Sequence, residues 1–275
     1  MENVVVLIVG AGPAGLATAA CLSQFSIPYV IVERESCSAS LWRNRAYNRL
    51  KLHLAKELCK SYSGMNVLVV GSGNSGMEIA YDLAAHGANT SIVIRSLIHV
   101  MTKELIRLGM TLARHLPLKL VDNLLVMAAK LIFGDLSRYG IRRPKMGPMI
   151  LKSETGRSAV IDVGTVGLIK KGIIKVHGSI SKIVGDIVEF QCSKNISFDA
   201  IVFATGYKST ANIWLKNGEN MFNGNGLPVK EYPNHWKGEN GLYCAGLARR
   251  GLAGIVADAK NIANDIKSVI GAMYG

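Results

Sequence analysis

VVVLIVGAGPAG at residues 4–15 and NVLVVGSGNSG at residues 66–76 decide the fold. Each is a short, continuous, β-branched run ended by glycine, which is how a parallel strand buried on both faces reads. Each run leads into a G-x-G-x-x-G turn: Gly10, Ala11, Gly12, Pro13, Ala14 and Gly15 in the first, Gly71, Ser72, Gly73, Asn74, Ser75 and Gly76 in the second. In such a turn the first glycine permits the sharp bend, the second lets backbone approach a diphosphate, and the third lets helix pack on strand. Free N–H groups and the positive helix end then hold the phosphates.

The residues after each turn obey the same grammar. Pro13 suits a first helical position, and Ala14 to Leu22 is rich in small and helix-forming residues. Tyr29 to Glu33 (YVIVE) reads as the next buried strand. After the second turn, Met77 to Ala85 is helical and Thr90 to Ile94 (TSIVI) is a strand. The chain thus carries an internal duplication of strand, glycine turn, helix and strand.

The two halves differ in what ends the second strand. Glu33 lies eighteen residues past Gly15, where a carboxylate can accept from a ribose 2′-OH, and so implies an unphosphorylated adenosine as in FAD or NAD. Nineteen residues after Gly76 stand Arg95 and Ser96 instead, with no acid. A guanidinium and a hydroxyl there suit a 2′-phosphate, which selects NADP. Opposite ribose chemistries imply two different dinucleotides.

Further along, residues 99–134 have helical periodicity with basic residues on one side, and Gly134 to Pro148 reads as a loop. Ile173 to Val176, Ser181 to Val184 and Ile187 to Phe190 read as strands, the last two forming a hairpin about Gly185-Asp186. Asp199 to Ala204 (DAIVFA) is another buried strand ending in Thr205-Gly206-Tyr207. Gly241 to Ala245 (GLYCA) is expected as a last strand and Leu252 to Ile270 as a closing helix. No Pro-rich or Gly/Ser linker divides the chain, so two domains would be interleaved.

Composition narrows the chemistry. With 275 residues, 49% hydrophobic, the chain is long enough for one large core or two modest ones. Its five cysteines are odd in number, widely spaced and without a C-x-x-C pair, which suggests neither a disulfide framework nor a zinc site and fits a reducing, cytoplasmic compartment. The apolar N-terminus lacks the basic region of a signal peptide, and no uncharged run is long enough for a membrane span. The net charge is +13, and residues 99–152 hold ten Lys or Arg against three Asp or Glu. A solvated basic face beside phosphate-rich ligands accounts for that excess, leaving peripheral contact with an anionic membrane open and nucleic acid disfavoured for want of interleaved aromatics. The six histidines are scattered and no G-x-S-x-G elbow appears, an absence that agrees with a flavin doing the redox work.

Five stretches carry a family resemblance: VVVLIVGAGPAGLATAACL (4–22), SLWRNRAYNRLKLHLAKELC (40–59), MNVLVVGSGNSGMEIAYDLAAHGANTSIVIRS (65–96), DAIVFATGYKS (199–209) and LYCAGLARRGLAG (242–254). Together they resemble the plant YUCCA family of flavin-containing monooxygenases, over nearly the whole chain and in the same motif order. The resemblance implies an α/β fold of two Rossmann-like dinucleotide-binding domains, the NADP domain inserted into a shortened FAD domain. The FAD part is expected at 1–60 and 200–275, and the NADP part at 61–199 with a helical insert at about 99–150. The first turn with Glu33 would bind FAD, Trp42 would line the flavin, and the second turn with Arg95 and Ser96 would bind NADPH. The family's substrates are indole-3-pyruvate, or a similar 2-oxo acid, and O₂, and its product is indole-3-acetate, the auxin.

One departure is large. Between Cys59 and Ser61 the family carries a long further segment with a first A-T-G motif and an F-x-G-x-x-x-H-x-x-x-Y signature, and here only Ser61-Tyr62-Ser63-Gly64 remains. A doubly wound FAD domain needs more strands than Arg34 to Lys60 can provide. The alternative to an active monooxygenase is therefore a non-catalytic NADP-binding remnant, or a partner of a full-length homologue.

Overall fold

The structure, a computed structural model, describes residues 5–40, 43 and 59–274. Its elements run β1 (Val6–Val9), α1 (Pro13–Gln24), β2 (Tyr29–Val32), β3 (Asn66–Val70), α2 (Asn74–Ala85), β4 (Asn89–Val93) and β5 (Val100–Met101). There follow α3 (Lys103–Leu112), α4 (Leu118–Phe133), α5 (Pro148–Thr155), β6 (Val160–Ile161), α6 (Thr165–Lys170) and β7 (Lys175–His177). The last are β8 (Ile180–Val184), β9 (Ile187–Phe190), β10 (Asn195–Ser197), β11 (Ala200–Phe203), α7 (Ala211–Trp214) and α8 (Gly251–Tyr274). The chain forms two compact units, residues 1–44 with 207–275, and residues 45–206.

The first unit pairs β1 and β2 in parallel, with Leu7 opposite Val30 and Val9 opposite Val32. Beneath them α1 and α8 pack together. Ile8, Ala19, Leu22 and Ile27 meet Ile262, Ala263 and Ile266 in one buried cluster. Ala259, Ala263 and Ile266 recur at helical spacing on α8, and the small side chains let the two helices approach. Each fully buried Leu or Ile of this kind contributes roughly 1.5–3 kcal/mol.

This unit differs from expectation in two ways. The run at 4–9 reads as a strand buried on both faces, yet Leu7 and Val9 are exposed, as are Val30 and Val32 across from them. Among the described residues only the face carrying Val6 and Ile8 is packed against helices, so the two strands and α1 with α8 make two layers. GLYCA at 241–245 is not a strand either: it makes an isolated antiparallel bridge of Lys237 with Tyr243. Backbone pairing with residues 236–238 satisfies its polar groups locally, Cys244 N–H donating to the Trp236 carbonyl.

The second unit has three layers. A parallel sheet of order β11-β3-β4-β7 lies at its centre. Along β3, alternate side chains part to opposite faces as the pleat requires. Val67 and Val69 join the large helical core with Met77, Ala80 and Leu83 of α2, while Leu68 joins Val93, Val188, Phe190 and Phe198 under the antiparallel β8–β9–β10 sheet. The β8–β9 hairpin turns at Gly185 with φ +60, as the Gly-Asp signal anticipates. Ala200–Phe203, grouped by its sequence with the first unit, pairs instead with β3, Val202 opposite Val69.

The helical insert is closed by β5 and β6, which pair in parallel. Thr102 caps α3, its hydroxyl accepting from Leu105 N–H at 3.2 Å. On α4, Val121, Leu125, Ala129 and Phe133 are buried at four-residue intervals. Both carboxylate oxygens of buried Asp122 accept from the start of α5, from Met149 N–H at 2.7 Å and Ile150 N–H at 3.1 Å. No helix among the described residues is long and apolar enough to cross a membrane.

Candidate functional site

The two glycine corners have nearly the same backbone. Gly10 and Gly71 take φ +99 and +120, a region that only glycine enters freely. Gly12 and Gly73 are the N-caps of α1 and α2, with φ −76, ψ −179 and φ −74, ψ −177. A Cβ at Gly15 would lie 2.0 Å from the Gly10 carbonyl oxygen, and one at Gly76 would lie 1.9 Å from that of Gly71. At Gly12 and Gly73, by contrast, an added Cβ meets nothing within 4 Å.

The chemistry derives from that contrast. The third glycine of each turn is crowded by its own turn, while the second faces open space large enough for a ligand to approach. Neither helix start is capped by a side chain. The first-turn N–H groups therefore lack intrahelical partners and carry the positive end of the helix dipole, which is the donor set an anionic diphosphate needs. Pro13 at the first position of α1 gives no donor but fixes the helical φ. The residues present fit two dinucleotides.

The second corner also sits where the sheet changes direction. From β3 the chain passes to β4 on one side and returns as β11 on the other, all parallel. Ligands bind at the carboxyl ends of strands at such a switch point. Ala204, just past β11, donates its N–H to the Val70 carbonyl at 2.8 Å, and a Cβ at Gly71 would lie 2.4 Å from the Ala204 carbonyl oxygen. Arg95 and Ser96 come directly after β4 and are exposed at this same end.

Comparison with known proteins names the architecture. Residues 3–57 match an FAD binding domain and residues 52–217 match the flavin-binding monooxygenase-like family. The chain is 39% identical to the probable indole-3-pyruvate monooxygenase YUCCA10 of Arabidopsis thaliana, covering 99% of both chains. It is 34% identical to the indole-3-pyruvate monooxygenase YUCCA1 of Oryza sativa subsp. japonica, over 94% of this chain and 90% of the relative.

The chain belongs to the YUCCA family of flavin-containing monooxygenases.

Its fold agrees. A flavin-containing monooxygenase from Stenotrophomonas maltophilia matches with TM-score 0.59 at 12% identity, over 98% of this chain and 100% of that one. The OTEMO structure in complex with FAD and NADP matches with TM-score 0.62 at 9% identity, over 98% of this chain and 85% of that one. The alignment with YUCCA10 spans 381 positions whereas this YUCCA chain has 275 residues, so the relative carries internal sequence that this chain lacks.

Within this YUCCA member, Glu33 does more than end β2. Its Oε2 accepts from Ala11 N–H at 2.6 Å and its Oε1 from Glu35 N–H at 3.0 Å. These N–H donors, Glu35 first and Ala11 second, hold the Glu33 carboxyl below its usual range. A carboxylate accepts about four hydrogen bonds, so beyond these backbone donors Glu33 keeps capacity for a ribose hydroxyl. Ala11 is fixed on its other side too, its carbonyl accepting from Ala39 N–H at 2.9 Å. Asn74 likewise has a structural bond, its Oδ1 accepting from Ile161 N–H at 2.8 Å and tying the start of α2 to β6. Trp42 lies outside the described residues.

Sequence reasoning missed a buried polar group beside the first corner. Gly246, with φ +87, lies against Ala14, where an added Cβ would come within 3.1 Å of the alanine methyl. Its N–H donates to Asp258 Oδ2 at 2.9 Å, and Asp258 Oδ1 lies 3.0 Å from His235 Nε2, both side chains nearly inaccessible. Nothing in the IVADA stretch of α8 marks its acid as buried. Cys244 donates its thiol to the His235 carbonyl, and burial with the Asp258 charge pushes its pKa up to about 12. It is therefore held as a thiol and is no nucleophile. Among the described residues no three potential ligands gather as a metal site.

Proposed function

We propose that this protein is an FAD- and NADPH-dependent monooxygenase that converts indole-3-pyruvate, or a closely similar 2-oxo acid, into the acid one carbon shorter. In the balanced reaction the keto acid, NADPH, a proton and O₂ give indole-3-acetate, CO₂, NADP⁺ and water, a route to auxin. When bound, the flavin supplies the two-electron chemistry between NADPH and O₂.

The protein's own part is to bind and orient. The Gly10 to Gly15 corner holds the FAD diphosphate on the N–H groups opening α1, with Glu33 on the ribose. The Gly71 to Gly76 corner holds the NADPH diphosphate, and Arg95 with Ser96 takes the 2′-phosphate. The observation that carries the reading is the pair of uncapped helix starts, each behind a second glycine with open space before it.

The exposed face of Leu7, Val9, Val30 and Val32 favours one further reading, in which the second unit binds NADPH and no flavin turns over. One preparation separates the two. A yellow protein whose flavin is bleached by NADPH without air, and which releases indole-3-acetate from indole-3-pyruvate in air, supports the monooxygenase. A colourless protein after reconstitution with FAD, still binding NADPH, would reject it in favour of the second reading.

A further inference from the structure

The second unit carries an open groove with a volume of about 560 Å³ between α4 and the segment leading into α5, lined by none of the residues of either glycine corner. That volume falls within the range of small-molecule sites, roughly 300–1,000 Å³. Its polar lining is unbalanced. Arg143, Lys119, Lys130 and Lys145 line it against a single acid, Asp122, each of whose oxygens already accepts one N–H, from Met149 and Ile150.

Two buried polar atoms there have no hydrogen-bond partner among the described residues, His99 Nδ1 and Arg143 Nη2. Their roles can be assigned. His99 is 3% exposed and its Nε2 lies 2.8 Å from the Met146 carbonyl oxygen. A carbonyl only accepts, so Nε2 carries the hydrogen. Burial, aided by the Arg143 charge, lowers the His99 pKa and keeps the ring neutral. Nδ1 is then a bare acceptor, and Arg143 Nη2 is a charged donor. Asn123 adds one neutral polar side chain, and the apolar part of the lining includes Val126 and Ile150, with Met127 and Met146 exposed at its mouth.

We propose that this groove is a second small-molecule site, for an apolar carboxylate that also carries an N–H or O–H donor. The carboxylate pairs with Arg143, with the three lysines adding positive potential. The donor is received by His99 Nδ1, and the apolar body lies against Met127 and Met146. Both orphaned atoms are then satisfied, as buried polar groups in folded proteins generally are.

The test reads the groove directly. The full chain, labelled with ¹³C at its methionine methyls, is titrated with three probes and followed by NMR at Met127 and Met146. The probes are indole-3-acetate, which has a carboxylate, an apolar body and an N–H; 1-naphthaleneacetate, which lacks the N–H; and inorganic phosphate, which lacks the apolar body. The expected result is saturable shifts with the indole acid, about tenfold weaker binding of the naphthalene acid, and no saturation with phosphate. Excess NADPH should leave the shifts in place. Arg143→Gln should abolish them, and should that variant fail to fold, Lys130→Gln at an exposed position should weaken them severalfold. Absence of shifts with the indole acid, equal affinities for the two aromatic acids, saturation by phosphate, displacement by NADPH, or binding unchanged in the folded variants would each overturn the assignment.

Discussion

Gly15 stands directly over the carbonyl of Gly10: a methyl in place of its hydrogen would lie 2.0 Å from that oxygen, and Gly76 stands over Gly71 in the same way at 1.9 Å. The nearest neighbour in both cases is a backbone carbonyl, which cannot rotate aside. Gly76→Ala should therefore destabilise the second unit by about 1–3 kcal/mol, the usual range for overpacking. Gly73→Ala, with nothing within 4 Å, should change stability by less than about 0.5 kcal/mol. On the proposed reading its methyl would project where the NADPH diphosphate is held, so NADPH affinity should fall while the urea midpoint holds. Urea denaturation beside NADPH titration of the two variants checks the split.

These corners are legible in the sequence because the requirement they meet is local. Turn, cap and helix contact fall within six residues, and each demands glycine for a reason visible in the string. The strand at 4–9 is legible as a strand but not as one with an open face, since burial depends on a layer supplied from elsewhere in the chain. Val67 to Val69 reads the same way and is buried on both sides, because β8 to β10 cover it. Asp122 capping α5 and Asp258 reaching Gly246 join residues far apart in sequence. No spacing rule connects such pairs.

On the proposed reading, Arg95 selects NADPH over NADH. It is exposed at the carboxyl end of β4, beside the switch point of the sheet. A guanidinium paired with a phosphate contributes about 1.5–3 kcal/mol, so Arg95→Ala should weaken NADPH roughly 10- to 100-fold and leave NADH nearly unaffected. Fluorescence titration with both coenzymes measures the ratio. Equal losses for the two would remove Arg95 from the 2′-phosphate.

Asp122 is 3% exposed and serves as the cap of a helix to which it does not belong. Asp122→Ala leaves two half-buried N–H groups without their acceptor, each costing about 1 kcal/mol or more. Asp122→Asn keeps one acceptor and should lose about half as much. Gly147 belongs to the same arrangement, since a Cβ there would lie 2.2 Å from Asp122 Oδ2. Thermal unfolding of the three variants should rank Asp122→Ala and Gly147→Ala well below Asp122→Asn.

Stability should fall as the medium is acidified below about pH 6.5. Burial keeps both His99 and His177 neutral, with Lys194 and Lys175 reinforcing the effect at His177, so both pKa values lie below the ordinary 6.5. Between that value and the depressed native ones, the unfolded chain binds protons the folded chain refuses. Stability is then full above pH 6.5 and is lost as pH falls through the window, by up to about 1.4 kcal/mol per pH unit for each histidine. His177→Gln forfeits the stack on Phe190, whose ring centroid is 4.6 Å away, and should be weaker at pH 7.5. Its pH dependence should nevertheless be flatter between pH 5.5 and 6.5. A parallel, unflattened curve would show that His177 is not among the titrating groups.

Leu7 and Val30 are opposed across the parallel pair of β1 and β2, and both point to solvent at 58% and 43% exposure. Side chains already in water lose little apolar contact when made polar, so Leu7→Thr with Val30→Thr should cost less than about 1 kcal/mol. Leu68→Thr, on a strand covered from both sides, puts a hydroxyl in a closed core and should cost about 2–4 kcal/mol. The surface effect runs the other way: β-branched and apolar side chains on a short sheet with open edges promote association between chains. The double variant should therefore bind less of an apolar dye and remain monomeric at higher concentration, as light scattering reads. If it unfolds at the same urea concentration as Leu68→Thr, something covers β1 and β2 in solution, and the two-layer description of the first unit falls.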